Sequence, residues 1–157
     1  MEIDVSAPAV LQHPAVSFAP SSDQPPLVLV VDDDPAIRLL CSVNLQLEGL
    51  SVLEASDVPG ALAQARSTPP DLVVTDIMMP GLDGFQLAAE LRRDERTHRV
   101  PVIFLSGETG AANEARAAEL GALAYITKPF DPAELVSFVT VALARSDQGV
   151  DARREAC

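Results

Sequence analysis

Basic side chains are scarce in this chain: 11 Lys and Arg face 23 Asp and Glu, a formal net charge of −12 over 157 residues. That balance argues against direct contact with nucleic acid, because phosphate backbones are held by basic patches. Long apolar runs are also missing. The longest near the N-terminus, Leu27 to Val31, is far short of a membrane span, so no membrane insertion is expected. The first residues carry Glu2 and Asp4 but no Lys or Arg, which does not fit a secretory leader. Of the two cysteines, Cys41 lies in a helical apolar pattern and Cys157 is the last residue. No disulfide framework is expected, and a cytoplasmic location fits. Lysine is the scarcest charged type. Lys128 is the single one among the basic residues, a compact ammonium where every other position uses the planar arginine fork.

With 48% hydrophobic and 22% charged residues, the chain reads as about one soluble globular domain with a substantial core. Residues 1–26 hold Pro8, Pro14, Pro20, Pro25 and Pro26 among small residues without a sustained period, and read as a flexible extension. From Leu27 strand and helix signals alternate over residues 27–145, and residues 146–157 read as a tail. The unbroken apolar runs Leu27–Val31, Leu72–Thr75 and Val102–Leu105 predict strands buried on both faces, with Ser51–Ala55 as an edge strand and Ala124–Thr127 as the last. Helices are expected from Pro35 to about Glu48, with Ile37, Leu40, Cys41 and Leu47 inward, and from Asp57 to about Arg66. Further helices are expected over Phe85–Arg93 and Ala112–Leu120. A final helix is capped at Asp131, with Leu135, Phe138, Val139 and Ala142 inward.

Five strands alternating with five helices predict an α/β fold with a parallel sheet. Right-handed crossovers bring every strand's carboxyl end to one edge, which therefore collects Asp32, Asp33, Asp76, Ser106 and Lys128. Ligands bind such sheets at that edge. Three carboxylates, a hydroxyl and an ammonium suit phosphoryl transfer. Hard oxygens hold a cation such as Mg²⁺, and the remaining groups meet the charge that spreads over the phosphoryl oxygens. Asp34, followed by Pro35, reads instead as a helix cap. Asp76, ending a buried strand, is the candidate nucleophile.

The motifs Val30-Val31-Asp32-Asp33, Val73-Val74-Thr75-Asp76-Ile77-Met78-Met79-Pro80-Gly81-Leu82-Asp83-Gly84, Phe104-Leu105-Ser106-Gly107 and Tyr125-Ile126-Thr127-Lys128-Pro129-Phe130 together resemble the receiver domain of two-component response regulators. The resemblance covers about Leu27 to Ala144. It implies a doubly wound, flavodoxin-like sheet in the order 2-1-3-4-5 with five flanking helices. It implies Asp76 as phosphoacceptor from a sensor histidine kinase or a histidine phosphotransfer protein. Mg²⁺, or Mn²⁺, would be held by Asp33, by Asp32 through water, by Asp76 and by the Met78 carbonyl. Lys128 and Ser106 would bind phosphate, Ser106 and Tyr125 would form the switch, and the Lys128–Pro129 peptide would be cis. Glu108 and the Met78 side chain would border the site and affect attacking water. The surface over residues 112–144 would meet a downstream protein.

The resemblance implies no enzyme beyond chemistry on itself. A haloacid-dehalogenase-type phosphatase is the enzyme alternative, since Asp32-Asp33-Asp34 offers an Asp-x-Asp motif, but Pro35-Ala36 departs from what should follow. A phosphate sink or scaffold that does not switch stays open. After Arg145 too few residues remain for an output module, so either a stand-alone regulator or a receiver cut from a longer protein is expected.

Overall fold

The structure, a computed structural model, describes residues 24–107 and 110–156. Most of the expected N-terminal extension, and Glu108, lie outside the described residues. The elements run β1 (Leu27–Val31), α1 (Pro35–Leu47), β2 (Ser51–Ala55), α2 (Val58–Ser67), β3 (Leu72–Asp76), α3 (Gly84–Arg93), β4 (Val102–Ser106), α4 (Ala111–Glu119), β5 (Ala124–Thr127) and α5 (Pro132–Ala156). All strand pairs are parallel, in the order β2-β1-β3-β4-β5. This is the parallel sheet expected from the alternation of elements, in the doubly wound order that the resemblance implies. Among the described residues no helix is long and apolar enough to cross a membrane.

Alternation along the strands divides the core into two layers. Val28 and Val30 of β1 join Val74, Ile103, Leu105 and Ile126 in one cluster, covered by Cys41 and Leu45 of α1 and by Leu135, Val139 and Leu143 of α5. Leu29 and Val31 join Val73 and Phe104 in the other, covered by α2, α3 and α4. Val28 to Val31 have no exposed surface at all, which explains why β1 reads as an unbroken apolar run. Each such side chain contributes about 1.5–3 kcal/mol by burial.

Helix starts follow local chemistry. Asp34 caps α1 by accepting from Ala36 N at 2.9 Å, and Asp57 caps α2 by accepting from Gly60 N at 2.8 Å. Asp83 and Gln86 form a reciprocal capping box on α3, at 2.9 and 2.7 Å. Asp131 accepts from Ala133 N at 2.9 Å at the start of α5.

Three expectations need correction. Leu40 and Leu47, placed on the inner face of α1, are 37% and 77% exposed, and Leu45 takes the core position. Phe138 is 40% exposed, because α5 turns Leu135, Val139 and Ala142 inward and leaves it on the flank. The segment beyond Arg145, expected as a tail, continues the helix to Ala156, in keeping with its helix-forming Ala, Arg, Glu and Gln residues.

Candidate functional site

Strand order reverses between β1 and β3, and the crevice outside their carboxyl ends is where such sheets bind ligands. Asp32 and Asp33 follow β1 directly and Asp76 ends β3, so register alone brings them together: Val31 stands opposite Thr75. One carboxylate oxygen from each of Asp32, Asp33 and Asp76 lies within 4.8 Å of the others. Asp32 is fully buried, Asp76 is 6% exposed and Asp33 is exposed. Around an octahedral Mg²⁺ at about 2.0–2.1 Å, ligand oxygens stand roughly 3–4 Å apart. The hard-oxygen set therefore fits such a cation with a slight closure.

Lys128 follows β5 and reaches across the sheet edge. Its Nζ lies 3.0 Å from Asp32 Oδ2 and 3.3 Å from Asp76 Oδ2. Burial alone would lower its pKa, but the hydrogen bond and charge of Asp32, followed by those of Asp76, raise it above the ordinary value. Lys128 is therefore firmly cationic. For Asp76 the shift instead favours the neutral form. Burial and then the charge of Asp32 raise its pKa, opposed by Lys128 and by a hydrogen bond from the Met78 backbone N–H.

The other expected residues take distinct places. Ser106 is fully buried at the end of β4, and its carbonyl accepts from Lys128 N at 2.7 Å. The Lys128–Pro129 peptide is cis. Tyr125 stands opposite Phe104 on β5, half-buried against the cluster beneath α2, α3 and α4. The Met78 side chain is 60% exposed at the crevice.

Sequence reasoning assigned no role to three neighbours. Arg38 donates from Nη1 to the Asp32 carbonyl at 2.7 Å and from Nε to Glu54 Oε1 at 3.1 Å. Gly84 donates its N–H to Ile77 O at 2.9 Å and packs so closely that a Cβ would overlap the Asp76 carbonyl oxygen. In the sequence, Arg38 looks like a solvated helix charge and Glu54 like an edge-strand charge. The signal available for Gly84 was its place at the end of a long loop.

Comparison with known proteins follows the same lines. The family model described as response regulator receiver domain matches residues 28–140. The chain is 41% identical over 123 residues to the DNA-binding dual master transcriptional regulator RpaA of Synechocystis sp., covering 78% of this chain and 51% of that protein. It is 40% identical over 122 residues to the phosphate regulon transcriptional regulatory protein PhoB of Pseudomonas aeruginosa, covering 78% and 53%. The chain thus spans about half the length of the curated relatives it matches. Among solved structures, the chemotaxis response regulator CheY4 of Vibrio cholerae aligns with a TM-score of 0.71 at 30% identity, covering 76% of this chain and 99% of that one. A putative response regulator from Chloroflexus aurantiacus aligns with a TM-score of 0.73 at 32% identity, covering 77% and 99%.

Proposed function

The chain belongs to the receiver-domain family of two-component response regulators, and from that premise we propose that Asp76 accepts a phosphoryl group from a phosphohistidine. The donor is a sensor histidine kinase or a histidine phosphotransfer protein. The observation that carries this reading is the convergence of Asp76 with Asp32, Asp33 and the only lysine of the chain. An Asp76 oxygen forms the new P–O bond as the P–N bond breaks. The imidazole leaves with the electron pair and takes a proton from solvent.

Mg²⁺ or Mn²⁺, held by Asp33, Asp76 and the Met78 carbonyl and through water by Asp32, would neutralise charge on the phosphoryl oxygens. Lys128 holds its proton firmly, which suits it to meet one of those oxygens, and the Ser106 hydroxyl another. The chemistry is confined to the chain itself, in the cytoplasm. Phosphorylation biases Ser106 and Tyr125 between two arrangements, and a downstream protein reads the surface over residues 112–144.

The direct test is incubation with a small phosphoryl donor such as acetyl phosphate and Mg²⁺, followed by intact-mass measurement. Wild type should gain one phosphoryl group and Asp76→Asn none; an equal gain in the variant overturns the assignment. Comparing partner capture with and without beryllofluoride separates a switch from a sink.

A further inference from the structure

We propose that Arg38 is a positioning residue for the acidic pair, acting through the Asp32 backbone and anchored by Glu54. This rests on reading the site as a cation-dependent phosphoacceptor. Asp32 is held at four points. Its N–H donates to Ala55 O at 3.2 Å, and its carbonyl accepts from Arg38 Nη1 at 2.7 Å. Its Oδ1 accepts from Asp34 N at 2.9 Å and its Oδ2 from Lys128 Nζ at 3.0 Å. The first of these continues the β1–β2 ladder, the third is the turn into α1 and the fourth belongs to the site. Arg38 supplies the second by reaching back from α1 to a carbonyl that is part of the peptide joining Asp32 to Asp33. Fixing that peptide fixes the direction from which Asp33 leaves the chain.

Arg38 is itself fixed from the opposite side. Its side chain is 21% exposed and paired with Glu54 on the edge strand, and the Glu54 carbonyl accepts from Gln64 Nε2 of α2 at 2.6 Å. Arg38 of α1 thus links the Asp32 carbonyl to the Glu54 side chain of β2, whose backbone is in turn held by α2. The Glu54 carboxylate balances the guanidinium charge, so Arg38 orders the loop without repelling a cation from it. A lysine in its place would offer a point charge without the rigid fork that serves both partners at once.

Magnesium binding to the full chain, measured by calorimetry without any phosphoryl donor, tests this, with thermal melts in parallel. Arg38→Ala should weaken Mg²⁺ binding about tenfold, the scale of losing a partner that orients a metal ligand. Glu54→Gln should weaken it about threefold, as expected for a partly exposed ion pair, and Arg38→Lys should recover part of the loss. Half-saturation by acetyl phosphate at saturating Mg²⁺ should not change.

A purely structural role would lower the melting temperature and leave the Mg²⁺ affinity of the folded protein untouched. Binding as tight as wild type in Arg38→Ala therefore overturns the proposal. If that variant does not fold, unchanged binding in Glu54→Gln overturns it instead. Absence of Mg²⁺ binding in wild type would overturn the cation reading of the site and this proposal together. Wild-type binding with unaltered variants overturns this proposal alone.

Discussion

Asp76→Asn should make the cation-free protein more stable, although it removes the proposed phosphoacceptor. At an effective dielectric of about 20, two charges within 4.8 Å repel by at least about 3.5 kcal/mol. A pair at 3.3 Å attracts by about 5 kcal/mol. Lys128 therefore leaves Asp76 a margin of at most about 1.5 kcal/mol over the repulsion from Asp32, while burying a carboxylate costs several kcal/mol. The balance is unfavourable, in keeping with the raised pKa of Asp76, whose largest cause is burial. A neutral amide of the same shape escapes the burial penalty and leaves Lys128 paired with Asp32 alone. The expected gain is about 1–2 kcal/mol, or roughly 3–10 °C in melting temperature for a domain of this size.

The sign with pH follows from the same shift. Asp76 keeps its proton to higher pH in the folded state than in the unfolded state. Its penalty is absent well below the ordinary value of 3.8, grows as pH rises through the folded pKa, and is complete above it. Urea melts of wild type and variant in EDTA, at neutral pH and well below 3.8, measure the gain. Added Mg²⁺ should narrow it by stabilising wild type more than the variant. Equal or lower stability of Asp76→Asn at neutral pH, or a gain that persists in acid, refutes the argument.

Gly84→Ala should cost about 1–3 kcal/mol, because the new methyl meets the Asp76 carbonyl oxygen and, at 3.0 Å, Ile77 Cα. Both obstacles are backbone that cannot move aside as a side chain would. A urea midpoint equal to wild type would contradict this close approach. Burial, and then the charge of Asp32, push the Cys41 thiol up to about 12. In a Cys157→Ser background, Cys41 should stay unlabelled by a thiol reagent at mildly alkaline pH until denaturant unfolds the chain; rapid labelling of the native protein would show it to be accessible.

The sheet was legible because parallel strands covered on both sides carry no polar alternation: β1, β3 and β4 are buried along nearly their whole length. Helix faces were less legible. Leu39, Leu40, Val43 and Leu47 all point at least partly to solvent on α1, while Cys41, Ser42 and Leu45 are buried. With apolar residues on every side, a period of 3.6 fits more than one inward face. Ser42 also occupies an inner position that no apolar count would assign to it. Beyond Arg145 the inward repeat stops but the backbone stays helical, consistent with the helix-forming Ala, Arg, Glu and Gln residues there. In the site, Asp32, Asp33, Asp76 and Lys128 could be grouped because each follows or ends a strand. Arg38 and Glu54 could not be. Their pairing depends on Glu54 standing beside Val30 in the β1–β2 register and on α1 packing over that edge, neither of which leaves a mark in local sequence.

The two adjacent aspartates after β1 divide their work by where their charges are balanced. Asp32 has no exposure and gives one oxygen to Lys128 and the other to a backbone N–H. Its charge is matched within the protein before any ligand arrives. Asp33 is exposed, and Asp76 shares Lys128 at the longer distance of 3.3 Å. Three carboxylates and one ammonium leave two negative charges, and they fall on the two aspartates proposed as direct ligands. A divalent cation would bring the crevice to neutrality, and that same neutrality would let an incoming phosphoryl group approach Asp76. Lys128→Gln would leave all three carboxylates without a cation of the protein's own. It would therefore shift the balance towards tighter divalent binding even as it removes a contact for the phosphoryl group, so affinity for Mg²⁺ and rate of phosphorylation should move in opposite directions.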